Sequence, residues 1–538
     1  MVPGMGASVQ LAGTMQAACE RWGPRPALTH RGQTLTYAEL WERILAAAWA
    51  YRSLGIGPGE RVICQLPTCP EHVIAVNAAW ACGAIHVGAP KDLTGPELAA
   101  LVGRTGARAV VYQPPGGHGD PLAPLRRVQE AHPSTVAIVH GHDAEPGQHA
   151  LGELLASPPA GPQPPAPSGP DDTALLVLTS GTTGRPKAVM ETLPALWAKM
   201  GFFAGALSPR HDDVHLMYLP ICHVFGLKLA LMALASGGRL VLMDRFSPTE
   251  ALELVDEEGV TVLPGTATHL TLLMDELDPA RHRTRTLRAT VSAAAPLPPE
   301  LVDGLHERLG VELLHIYGCS EGFLTATTDR DEIRAGSVGR TVFRGPEGSP
   351  PDGSVAILAP ERHTLLPAGE IGEIVFGASR PVRYWEAPPA ATDGWYRTGD
   401  LGWLDGHGRL YISGRLKEVV NRGGLKVAAG EIEAALVRHP HLADAAVVPA
   451  PDPVLGEAIC ACVVPAGAGP PTLGELRASL GEHLARHKLP DELCVVDSIP
   501  RSGVGKIDRA ALGALIAGAD VPRERLRRAA PADAAGAS

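Results

Sequence analysis

Residues 178–190 read LTSGTTGRPKAVM, from Leu178 to Met190, and continue from the wholly apolar run Ala174 to Leu178. That run reads as a strand buried on both faces, and the glycines, proline and hydroxyls that follow end it in a loop. A loop of this kind gathers backbone N–H groups and hydroxyl donors at one strand end, which is how proteins cradle phosphate. Gly181 and Gly184 permit close approach of the backbone, Thr179, Ser180, Thr182 and Thr183 can donate hydrogen bonds, and Lys187 adds positive charge. The spacing is not that of a Walker A loop. Gly181 is followed by Thr-Thr-Gly-Arg-Pro-Lys-Ala, so the lysine and magnesium-binding hydroxyl of that motif are missing. Taken alone, the stretch also reads as a polar surface turn.

On its amino-terminal side, Tyr37 to Leu54 carries apolar residues at helical spacing and Arg61 to Leu66 reads as a strand. Helix followed by strand recurs at Glu71 to Gly83 with Ala84 to Val87, and at Pro96 to Arg104 with Ala107 to Tyr112. This alternation predicts an α/β fold with parallel sheets. Ser157 to Pro170 (SPPAGPQPPAPSGP) reads as a linker or surface loop, and the alternation resumes after it, with strands at Glu373 to Phe376 and Arg409 to Ile412. Beyond Arg415 the pattern becomes a compact α+β set: a helix at Glu431 to Val437, strands at Ala445 to Val448 and Ala458 to Val464, a helix at Leu473 to His487, and a basic turn ending near Leu512. A boundary is therefore expected at 414/415, giving a large N-terminal domain, 1–414, and a small C-terminal one, 415–538, with Arg523 to Ser538 as a loose tail.

Composition narrows the class. The 538 residues are too many for one core, and 45% of them are apolar. A formal net charge of −11, with both signs interspersed, gives no electrostatic case for nucleic-acid binding. The nine scattered cysteines suit reduced thiols in a cytoplasmic protein. No apolar run reaches the ~18 residues of a membrane span, and the first residues lack a basic-then-apolar leader.

Further stretches follow in a fixed order: Leu219 to Gly226 (LPICHVFG), Ser292 to Leu297 (SAAAPL), Tyr317 to Gly322 (YGCSEG), Gly336 to Arg340 (GSVGR), Tyr396 to Gly402 (YRTGDLG), Ser413 to Lys426 (SGRLKEVVNRGGLK), Asp452 to Glu457 (DPVLGE) and Pro500 to Leu512 (PRSGVGKIDRAAL). With Thr179 to Lys187 (TSGTTGRPK), they closely resemble the adenylate-forming superfamily of acyl-CoA synthetases, peptide-synthetase adenylation domains and luciferases. Each stretch alone is weak, but their order over nearly the whole chain is specific.

The resemblance implies ATP and Mg²⁺, a carboxylic acid activated as its acyl-adenylate with loss of pyrophosphate, and transfer of the acyl group to the thiol of CoA or of a phosphopantetheine carrier protein, by a monomer or homodimer. It further implies that the small domain is mobile. By resemblance, Glu321 would hold Mg²⁺, Ser320 would lie near the α-phosphate, and Tyr317, flanked by Gly318, would stack on adenine beside Ala294 and Ala295. Asp400 and Arg415 would contact the ribose, and His223 would stand beside the acyl pocket. Lys506 would reach the active site from the small domain, Lys417 would be the hinge, and Gly423 and Gly424 would line the thiol tunnel. Read singly, Tyr317 is a core aromatic, Glu321 a surface acid, Asp400 a turn residue, His223 a packed side chain and Lys506 a solvated lysine.

Three departures stand out. Ser292-Ala293-Ala294-Ala295-Pro296 replaces a glycine-containing stretch, Glu191-Thr192-Leu193 replaces a segment that often ends in histidine, and Ala429 replaces a frequent proline. LPICHVFGLK lacks the aspartate that pairs with an α-amino group, which points to aryl or fatty acids; Lys228 in it is expected to face water. Two alternatives stay open at this level: a catalytically silent nucleotide-binding regulator, and AMP activation of a non-carboxylate group or transfer to an amine.

Overall fold

The structure, a computed structural model, describes residues 15–91, 93–114, 120–156, 169–179, 187–341, 354–359, 364–378, 382–390, 394–416, 418–422, 425–452, 455–467, 469–481, 484, 486–501, 507–517 and 521–526. The expected linker falls almost wholly outside them. The chain divides into two compact units, one of Met1–Val355, Phe376–Tyr396 and His407–Leu410, the other of Ala356–Val375, Arg397–Gly406 and Tyr411–Ser538.

In the first unit, the described residues form two large sheets. One runs in the order Gln148–Ala150, Val136–Val139, Ala109–Tyr112, Arg61–Gln65, Ile85–Gly88, Thr173–Thr179, Lys187–Thr192. Its pairings are parallel except the last, where Thr173–Thr179 and Lys187–Thr192 are antiparallel with Thr179 opposite Lys187. The strands Ile85–Gly88 and Ala109–Tyr112 are buried at every position, as expected where helices cover both faces. The other sheet runs Arg340–Thr341, Phe323–Thr327, Glu312–Gly318, Ala289–Ala293, Val262–Gly265, Val214–Met217, Arg239–Leu242, Pro26–His30, Gln33–Thr36.

Local chemistry places the helices. Thr36 and Glu39 form a capping box that starts Tyr37–Ser53. Thr94 and Glu97 do the same for Gly95–Thr105, which Gly106 closes at φ 58°. The Trp80 indole, on helix Pro70–Ala81, donates to the Ala174 carbonyl at 2.8 Å and ties that helix to the strand leading into the glycine-rich stretch.

A sheet ordered Val355–Leu358, Gly372–Gly377, Trp395–Leu404, Leu410–Arg415 lies mostly but not wholly in the second unit, which also holds one ordered Leu425–Ala428, Val419–Arg422, Gly456–Pro465, Glu492–Val495, Arg523–Arg525, with Leu442–Asp452 also paired to Gly456–Pro465. Two expectations need correction. The helix expected to reach His487 ends at Leu480 and is followed by a 3-10 turn at Arg486–Lys488. Gly481, a weak helix former, stands at its end, and Leu489 returns to the apolar cluster that holds Leu480. The expected tail begins instead as a strand: Arg523–Arg525 pairs with Glu492–Val495, and the Arg525 Nε lies 2.9 Å from a Glu492 carboxylate oxygen. Residues 527–538 lie outside the described residues.

Candidate active site

The loop residues Ser180, Gly181, Thr182, Thr183 and Gly184 lie outside the described residues, as does the side chain of Thr179; the hairpin that carries the loop is described on both sides. Lys187 opens the return strand, with its ammonium 5.0 Å from the centroid of the Tyr384 ring. That contact is a cation–π geometry.

Tyr384 links this lysine to the YGCSEG turn. The strand Glu312–Gly318 ends in a bulge between Tyr317 and Gly318, and Cys319 and Gly322 exchange backbone hydrogen bonds across the turn, 2.8 and 3.2 Å long. Ser320 and Glu321 at its tip are half-buried. The Tyr384 hydroxyl donates to Glu321 Oε1 at 3.1 Å and lies 2.8 Å from the Tyr396 hydroxyl. A phenol has one proton to give, so Tyr396 donates to Tyr384, and Tyr384 to Glu321. Burial pushes both phenols well above the usual tyrosine range, which keeps these donors protonated.

Behind the turn lies a buried ion cluster. Lys199, on helix Leu193–Leu207, donates to the Glu321 backbone carbonyl at 3.0 Å and to Glu191 Oε1 at 2.5 Å. Lys228 Nζ lies 3.4 Å from the same Glu191 oxygen. The expectation that Lys228 faces water is wrong: the lysine is 0% exposed. Every residue from Gly226 to Ala235 on its helix is buried, so the helix has no solvent face there, and Glu191 supplies the counter-charge. Burial, reinforced by Lys199 and opposed by Glu191, pulls the Lys228 ammonium down to about 7. Burial works to raise the Glu191 carboxyl, but the two ammonium groups outweigh it and hold it below the usual range. The other Glu191 oxygen, Oε2, is buried without a hydrogen-bond partner.

Around this center, Tyr317 is buried in its strand opposite Thr325, Gly318 is exposed at the strand end, and His223 is the half-buried residue before helix Val224–Ala235. Ala294 takes φ 73°, a left-handed conformation that favours glycine, and Ala295 follows it half-buried.

In the second unit, Asp400 and Arg415, on neighbouring strands, form an ion pair, Arg415 Nε to Asp400 Oδ1 at 2.9 Å. The Thr398 hydroxyl accepts from the Asp400 N–H, and Glu373 accepts from the Gly399 N–H, both at 3.0 Å, which fixes the turn. Lys417, Gly423, Gly424 and Lys506 lie outside the described residues. Flanking them, Arg509 bonds Glu433 at 2.6 Å and Glu418 at 2.9 Å, and Arg501 and Ile507 form an antiparallel bridge.

Tyr384, Lys199 and the pairing role of Glu191 were not visible in the sequence. The one available signal was Glu191, an acid that directly follows the apolar run Ala188–Met190 and, if buried with it, needs a partner.

Residues 15–381 match the model of the AMP-binding enzyme family, and residues 431–506 match that of the AMP-binding enzyme C-terminal domain. The chain is 34% identical to triostin synthetase I of Streptomyces triostinicus, over 94% of each chain. It is 33% identical to a 2-hydroxy-7-methoxy-5-methyl-1-naphthoate–CoA ligase of Streptomyces carzinostaticus, over 89% of this chain and 88% of the relative. Among solved structures, an amide bond synthetase from Marinactinospora thermotolerans superposes with a TM-score of 0.80 at 27% identity, covering 94% of this chain and all of that one. The chain, with a hydroxyl relay and a half-buried lysine both directed at Glu321, thus belongs to the AMP-binding enzyme family, the adenylate-forming enzymes that include the acyl- and aryl-CoA ligases.

Proposed function

We propose that this adenylate-forming enzyme joins an aryl or fatty carboxylic acid to AMP, releasing pyrophosphate, and then passes the acyl group to the thiol of CoA. The observation that carries the reading is the placement of Tyr384, whose ring lies under Lys187 while its hydroxyl holds Glu321. The lysine next to the glycine-rich loop and the acid of the YGCSEG turn are thereby brought to one aromatic side chain.

A carboxylate is a poor electrophile because its leaving group would be oxide; exchange onto AMP gives a leaving group that a thiol displaces. Glu321 fits a magnesium ligand: it is a half-buried, hard oxygen donor oriented by a phenol. When bound, Mg²⁺ neutralises charge on the phosphate oxygens. Lys187 and the loop donors Thr179, Ser180, Thr182 and Thr183 would hold the phosphates, with Gly181 and Gly184 giving the backbone room. Tyr317, Gly318, Ala294 and Ala295 would frame adenine, Ser320 would meet the α-phosphate, Asp400 would accept from the ribose hydroxyls while Arg415 steadies it, and His223 would border the acid. Lys506 would bridge carboxylate and α-phosphate, and holding those reactants in contact contributes on the order of 7–11 kcal/mol. We place the change from large to small lobe at 414/415, with Lys417 as hinge and Gly423 and Gly424 admitting the thiol arm.

The aryl and fatty classes are supported by LPICHVFGLK, which has no acidic partner for an α-amine; CoA is supported by the naphthoate–CoA ligase relative. Acid-dependent exchange of labelled pyrophosphate into ATP is the test, run on a panel of aryl and fatty acids. No exchange with any of them overturns the reading. Lys506→Ala is expected to abolish exchange and to spare thiolation of a supplied acyl-adenylate; equal loss of both steps overturns the role of Lys506.

A further inference from the structure

The Lys199–Glu191–Lys228 cluster has no part in the scheme above, although it touches the residue that the scheme gives to the metal. Two ammonium groups share one carboxylate oxygen, and all three side chains converge behind the YGCSEG turn. Glu191 and Lys228 are withdrawn from water, at 2% and 0% side-chain exposure, whereas Lys199 keeps 22%. Withdrawing these charges from water costs desolvation, and the group the cluster reaches is the Glu321 carbonyl, 3.0 Å from Lys199.

We propose that Lys199 is a positioning residue: anchored by Glu191, it clamps the Glu321 carbonyl and thereby sets where the Glu321 carboxylate is presented to a divalent cation. The inference rests on the reading of Glu321 as the metal ligand. Glu321 is then held at two points, its carbonyl by Lys199 from one side and its carboxylate by Tyr384 from the other. Fixing both the main chain and the side-chain oxygen leaves the residue little freedom to swing, which is what a cation with strict octahedral demands requires of a protein ligand. Lys228 completes the anchor. It lies against the same Glu191 oxygen and keeps the carboxylate ionised, so that Lys199 always has an anion to pull against.

The test measures metal binding directly. Mn²⁺ is titrated into the full chain with a non-hydrolysable ATP analogue, and bound metal is read from loss of the free-Mn²⁺ electron paramagnetic resonance signal. Lys199→Met is expected to weaken Mn²⁺ about tenfold, and Lys199→Arg, which can still donate to both oxygens, to stay within about threefold of the native chain. Melting curves of both variants are taken alongside; if the methionine variant fails to fold, the arginine variant is compared with Lys199→Gln, which donates but carries no charge and is expected to fall between. Unchanged Mn²⁺ affinity in a folded Lys199→Met overturns the inference, and so does a shift confined to the KM for the acid, which would assign the ammonium to the acid subsite. Failure of the native chain to exchange pyrophosphate with any acid, with Mn²⁺ binding still dependent on Lys199, overturns the proposed function and leaves this inference standing.

Discussion

Replacing Glu191 by leucine should be among the most destabilising single changes in the first unit, and replacing Lys228 by methionine among the mildest charge removals. Glu191 lies 2.5 Å from Lys199 and 3.4 Å from Lys228, and Lys228 is fully buried. Removing the carboxylate leaves a buried ammonium with its counter-charge gone, a loss of ~3–5 kcal/mol. Lys228→Met is close to isosteric and leaves Glu191 paired with Lys199, so a change within about 1 kcal/mol is expected. With both changes the fully buried charges are gone and only the part-exposed Lys199 ammonium remains, so the double variant should be clearly less destabilised than Glu191→Leu alone, a coupling of at least ~1.5 kcal/mol. The pH dependence follows the same residue. Its folded value, about 7, lies below the unfolded 10.5, so between these values the unfolded chain binds the extra proton. Stability therefore rises with pH from 7 toward 10.5, by about 1.4 kcal/mol per pH unit, and is lost again as pH falls to 7. Lys228→Met should lack this rise. Urea unfolding followed by tryptophan fluorescence is the suitable assay, because all the tryptophans except Trp403 belong to the first unit, where the cluster lies. Glu191→Leu within 0.5 kcal/mol of native, or a double-variant cycle additive to ~0.5 kcal/mol, would show that the carboxylate does not neutralise the buried ammonium.

Three further outcomes are expected. Tyr384→Phe keeps the ring under Lys187 but removes the donor to Glu321, and a charge-assisted hydrogen bond of ~1.5–3 kcal/mol translates into pyrophosphate exchange about 10–100-fold slower with little change in the urea midpoint; full-rate exchange would sink the relay. Burial lowers His72, His215 and His315 to about 4, so the stability they contribute is intact above their unfolded 6.5 and disappears as pH falls through 4. At roughly 3 kcal/mol each, their loss is comparable with the stability of a whole domain, so the urea midpoint should fall steeply in that window, and a midpoint flat from pH 6.5 to 4 would contradict this. Ala294→Gly relieves a left-handed backbone worth ~1–2 kcal/mol against ~0.4–1 kcal/mol of added unfolded-chain entropy, so a stabilisation of up to about 1 kcal/mol is expected, and a clear loss in the same urea titration would refute the strain.

The fold class, the order of the elements and the family are legible in the amino-acid sequence. Those rest on periodicity and short-range motifs, which are local properties of the chain; the spacing gives the helix after Thr36 and the strand ending at Thr179 almost to the residue. Asp400 and Arg415 are each expected at the ribose, and their ion pair with one another comes from the structure. The surroundings of Glu321 arise only when the chain packs. Tyr384 is 63 residues away in sequence and Lys199 is 122, and neither belongs to a motif quoted for the family. Lys228 was misread for the same reason: helical spacing says which residues share a face, but whether that face meets water depends on what packs against it. An ion pair buried between Glu191 and Lys228 is a fact of three-dimensional packing, and a one-dimensional pattern shows only two charged residues in apolar company.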